Sequence, residues 1–76
     1  MELTDDFFNK VAVELGNKYF PTLKYYRDDE NCASVHYTLE LFSNGCLTYR
    51  KLINRLSKSC NDTKENIKHI VDKYIL

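Results

Sequence analysis

The sequence predicts a small α+β domain: an N-terminal helix, an antiparallel sheet of two to three strands, and two C-terminal helices packed on that sheet. Three observations predict it. Residues 33–42 alternate with a period of two, as a half-buried strand does. Residues 4–20, 48–60 and 63–75 instead repeat apolar side chains every three or four positions, as amphipathic helices do. The chain has 76 residues, enough for one domain only. A domain of that size buries roughly 60% of the surface its unfolded chain exposes, so a second lobe with a deep cleft between is excluded.

The first helix runs from Thr4 to about Phe20. Thr4 is its expected cap, and Asp5 and Asp6 sit where the helix dipole favours acids. Phe8, Val11, Ala12, Leu15 and Tyr19 form its apolar stripe, with Phe7 beside them. Gly16-Asn17 offers an early stop, and Pro21 ends the helix in any case by making Phe20 extended. Thr22–Arg27 holds the β-formers Leu23, Tyr25 and Tyr26 and reads as the first strand. Asp28-Asp29-Glu30-Asn31 reads as a turn, and Ala33–Phe42 as the second strand of a hairpin. On that strand Ala33, Val35, Tyr37, Leu39 and Leu41 face the core; Ser34, His36, Thr38, Glu40 and Phe42 face outward.

Asn44-Gly45 is a strong hairpin signal, with Cys46-Leu47 as a stub of third strand. Thr48 then caps a helix whose apolar stripe is Tyr49, Leu52, Ile53, Leu56 and Cys60. Asn61 and Asp62 break it. Asp62 followed by Glu65 resembles a capping box for a last helix, Thr63 to about Ile75, which buries Ile67, Ile70, Val71, Tyr74 and Ile75.

Few signals point to chemistry. Cys32, Cys46 and Cys60 are odd in number and form no C-x-x-C pair, so neither a disulfide framework nor a zinc site is expected. No Gly-rich phosphate loop and no nucleophile elbow occurs. His36 and His69 read as surface histidines. Asp28, Asp29 and Glu30 have the oxygens to hold a divalent cation, but three acids in a turn are simply read as solvated. No cofactor, no metal and no catalytic residue is expected. The longest apolar runs are a few residues, too short to span a membrane. The acidic start lacks the apolar run of a signal peptide, which points to a reducing, cytoplasmic setting.

Charge is unevenly placed. Eleven bases balance eleven acids, yet residues 1–40 carry eight acids and four bases, while residues 41–76 carry seven bases and three acids. The expected function is protein–protein contact through acids and exposed aromatics: Tyr25, Tyr26, Asp28, Asp29, Glu30, Glu40 and Phe42. The alternative is a nucleic-acid-binding regulator using Arg50, Lys51, Arg55 and Lys58 on one helix and Lys64 and Lys68 on the next. That pair resembles a helix-turn-helix in outline, but its joint lacks the usual Gly and its helices are long. Richness in Lys, Asn, Ile and Tyr fits an AT-rich genome. By analogy of size, the protein is expected to resemble small phage or mobile-element inhibitors that block a host nuclease or defence complex, as monomer or homodimer.

Overall fold

The computed structural model describes residues 5–75. Thr4, the expected first cap, lies outside them. Four α-helices follow one another: α1 Asp5–Tyr19, α2 Glu30–Ser43, α3 Tyr49–Cys60 and α4 Lys64–Ile75. A single 3₁₀ turn, Tyr26–Asp28, precedes α2. Among the described residues there is no strand, so the expected α+β sheet is replaced by an all-helical domain.

The correction centres on Ala33–Phe42, which is helix and not strand. Its buried residues are Cys32, Val35, Thr38, Leu39 and Phe42, spaced three and four apart. The period-two pattern and this helical face share Val35 and Leu39, so those two residues satisfied both readings. Phe42 belongs to the inner face, with its ring 5.9 Å from that of Phe7. Tyr37, expected inside, is 56% exposed. The acidic "turn" is the start of α2: the Asp29 carboxylate accepts the amide of Cys32 at 3.0 Å, and Glu30 opens the first turn. Thr22–Arg27 is not a strand but irregular chain that tightens into the 3₁₀ turn.

The Asn44-Gly45 pair makes a turn between helices and not a hairpin. Cys46 N–H reaches back to the Leu41 carbonyl at 2.8 Å, and Gly45 N–H to the Phe42 carbonyl at 3.0 Å. Gly45 has φ +78. This is a Schellman ending, which satisfies the last carbonyls of the helix and needs a residue tolerant of left-handed geometry. Cys46-Leu47 is loop, with Leu47 packed against the core. α3 ends in the same way: Asp62 N–H bonds the Ser57 carbonyl and Asn61 N–H the Lys58 carbonyl, with Asn61 at φ 53. Asn is the non-glycine residue best suited to that conformation.

The remaining boundaries follow from local chemistry. Thr48 caps α3, its hydroxyl accepting the Lys51 amide at 3.3 Å. Thr63, rather than Asp62, accepts the amide three residues on, that of Asn66. Asp62 instead takes the Thr63 amide and the Asn66 side-chain amide. Gly16 does not stop α1; its carbonyl accepts Phe20 N–H at 2.8 Å.

The helices close a ring. α1 packs on α2 and α4, and α3 packs on α2 and α4. Phe7, Val11, Leu15, Val35, Leu39, Leu52, Ile53, Leu56, Ile67, Ile70 and Val71 fill its centre. The radius of gyration, 11.3 Å, matches the about 11 Å of a fully compacted chain of this length. Polar ties reinforce the seams. Arg55 Nε donates to the buried Thr38 hydroxyl at 3.2 Å, and Ser59 to Ser34 at 3.0 Å, both between α3 and α2.

Candidate functional site

The six tyrosines fall into two groups. Tyr19, Tyr49 and Tyr74 each donate a phenolic hydrogen to a carboxylate on another part of the ring. Tyr19 bonds Asp62 at 2.5 Å, Tyr74 bonds Glu14 at 2.5 Å, and Tyr49 bonds Asp72. Lys73 adds an ion pair to Glu14 at 2.7 Å. Burial, then the hydrogen bond to Asp72, pushes the Tyr49 hydroxyl up to about 12. Tyr19 is raised by burial and then by its bond to Asp62, and Tyr74 is raised first by its bond to Glu14. These three hold helices together.

Tyr25, Tyr26 and Tyr37 have no such role; each is more than half exposed, at 56%, 52% and 56%. They are nevertheless ordered by neighbours. The Tyr26 ring stacks on His36 at 4.2 Å, and Phe8 meets His36 edge-on at 6.0 Å. The Arg27 guanidinium lies 5.2 Å from the Tyr25 ring centre, and that of Arg55 lies 5.8 Å from Tyr37. Tyr25 and Tyr26 belong to the 3₁₀ turn and its approach, Tyr37 and His36 to α2, Arg55 to α3.

A groove of about 370 Å³ adjoins this surface. Phe8, Ala12 and Gly16 of α1 line it together with Phe20, Leu23, Lys24 and Tyr26 of the segment that follows. Cys32 and His36 of α2 line it as well. Burial raises the Cys32 thiol, with the Asp29 charge adding to it, and burial lowers the His36 imidazole. Both therefore favour their neutral forms, the reverse of a thiolate–imidazolium pair. Cys60 is likewise pushed up to about 12, chiefly by burial.

The expected contact residues are partly reunited. Asp28 and Glu30 are exposed beside Tyr25 and Tyr26, and Glu40 is exposed on α2, one helical turn from His36. Asp29 is spent on the α2 cap. Phe42 leaves the set, being a core residue. Three residues join it unannounced: His36, Phe8 and Tyr37. A helical reading of 30–43 would have placed Tyr37 and Glu40 outside, and His36 on the flank toward α1.

The expected basic set divides. Arg50, Lys64 and Lys68 meet at a cleft of about 410 Å³ between α3 and α4, with Tyr49, Ile53 and Asn54. Lys51 and Lys58 are exposed on α3. Arg55 turns toward α2, bound to Thr38. Among the described residues no group of His, Cys, Asp and Glu is placed to hold a metal, and no helix is long and apolar enough to cross a membrane. No family model, no curated protein and no solved structure matches this chain.

Proposed function

We propose that the chain is a protein-binding module that acts by occupying a partner's surface. The observation that carries this is half-exposed Tyr26, stacked on His36 at an open groove that both line, with Tyr25 next to it in the chain and Tyr37 exposed on α2. Tyrosine buries much area for two rotatable bonds and anchors interfaces. Stacking on His36 and packing against two guanidiniums lowers the entropy that binding must still remove. Gly16 supports the same reading. It sits inside α1, where Gly costs about 1 kcal/mol against Ala, yet nothing lies within 4 Å of where its Cβ would be. The packing of the free chain does not require a glycine there, but a side chain inserted into the groove would.

Asp28, Glu30 and Glu40 share this face with Lys24, Arg27 and Arg55, so the matching partner surface carries charges of both signs and an apolar knob. Covering such a surface would block what it does. The test replaces Tyr25, Tyr26 and Tyr37 together by Ala and compares capture from a lysate of the source organism. A species bound by the native chain should be lost, with affinity reduced at least tenfold and the thermal transition still cooperative. Undiminished capture of the same species would remove this face from the reading.

A further inference from the structure

The cleft between α3 and α4 concentrates positive charge without a structural use for it. Arg50, Lys64 and Lys68 line it, and no acidic side chain does. The ion pairs among the described residues lie elsewhere, at Lys10–Asp6 and Lys73–Glu14. Asp72, one turn beyond Lys68, accepts the Tyr49 hydroxyl. α3 itself carries four bases and no acid, and its exposed Lys51 and Lys58 extend the positive face. Three like charges around one cleft repel one another, and none of them belongs to the apolar core.

We infer that this cleft holds the phosphate backbone of a nucleic-acid duplex, a site distinct from the tyrosine face. A guanidinium grips a phosphate through two parallel hydrogen bonds, while ammonium groups act as point charges. The Asn54 amide adds a neutral donor. The cleft offers little to read bases: Ile53 is core, and Tyr49 is partly buried with its hydroxyl engaged. The same poverty of free aromatic rings disfavours single strands, which need stacking platforms. Binding is therefore independent of sequence and strongly dependent on salt. Three phosphate contacts give a slope of about −2.7 in log K against log salt, or about a 40-fold weakening from 50 to 200 mM.

Fluorescence anisotropy with a labelled DNA duplex, the matching single strand and a polyglutamate peptide tests this with the full chain. The duplex should bind most tightly, with the salt slope above. Replacing Arg50, Lys64 and Lys68 by Glu should reduce duplex affinity at least tenfold. The milder change of all three to Gln serves if the acidic variant fails to melt cooperatively. A control of equal charge change, Lys10→Glu with Lys18→Glu and Lys24→Glu, should bind far better than the cleft variant. No duplex binding at low salt overturns the inference. So does an equal loss in the control, or a single strand or polyglutamate binding as well as the duplex. The tyrosine variant should leave duplex binding unchanged, so failure here and failure of the protein-contact reading are separate results.

Discussion

His36 lies between Tyr26 and Phe8, and burial holds its imidazole below its ordinary value of 6.5. The unfolded chain therefore takes up a proton before the folded one does. Folded stability is full above the ordinary value and falls as pH drops from there through the folded value. Glu14 and Asp62 behave in the same direction at lower pH. The Lys73 and Tyr74 hydrogen bonds hold Glu14 below its usual range, and the Tyr19 hydroxyl does so for Asp62. Their contribution is lost as pH falls through those depressed values. His36→Phe keeps an aromatic partner for Tyr26 and removes the upper step. Thermal melts between about pH 7 and pH 5 should show a declining Tm for the native chain and a nearly flat one for the variant. Parallel curves would mean that His36 is no more buried than a surface histidine. The same stacked pair is the centre of the proposed contact, so acidification is expected to loosen that face before it unfolds the ring.

At the scale of the element, α2 shows where the sequence is ambiguous. Val35 and Leu39 are four apart, and four is a multiple of two and close to one helical turn of 3.6 residues. Tyr37 and Leu41 completed the alternating reading, although Tyr37 is exposed and Leu41 only partly buried. Cys32, Thr38 and Phe42 complete the helical one. Thr38 escapes notice because a hydroxyl reads as polar, and its partner, Arg55, is seventeen residues away. The deciding signal was local: Asp29, three residues before Cys32, is a cap. α3 carried no such conflict. Of its expected stripe, Leu52, Ile53, Leu56 and Cys60 are buried and Tyr49 partly so, and its Thr48 cap and Asn61 stop are where capping chemistry places them. Tyr25, Tyr26, Asp28 and Glu30 are exposed, although around a 3₁₀ turn and a helix start and not on a hairpin. The side of Phe42 was not legible, because it depends on which period is chosen. Asp29→Ala should then cost about 1 kcal/mol, with a range of about 0.5–2, through loss of the α2 cap. Asp28→Ala should leave urea-unfolding midpoints nearly unchanged. Equal effects of the two would return Asp29 to the solvated acids.

The whole molecule depends on a closed ring in which each helix has two neighbours and one shared centre. Leu39 of α2 and Leu56 of α3 are both fully buried there. Leu39 stays in the core because it lies on both the alternating and the helical face, and Leu56 lies in a segment that is helical in either reading. A single core in so short a chain supplies roughly 3–5 kcal/mol of net stability. Truncating a buried Leu to Ala costs about 2–5 kcal/mol, depending on how far the neighbours relax into the void. Leu39→Ala and Leu56→Ala should each consume most or all of that margin, leaving a chain largely unfolded near 37 °C. Val13 is the matching control: it is 61% exposed, so Val13→Ala removes little buried area. Circular dichroism at the helical band, followed against temperature, reads all three. Because no helix has an independent core, loss at Leu39 should melt α4 together with α2, in one transition seen equally by helicity and by tyrosine fluorescence. Separate transitions for the two probes would show that the ring is two helix pairs rather than one cooperative unit. The tyrosine face and the basic cleft, which draw on all four helices between them, would then be expected to fail independently.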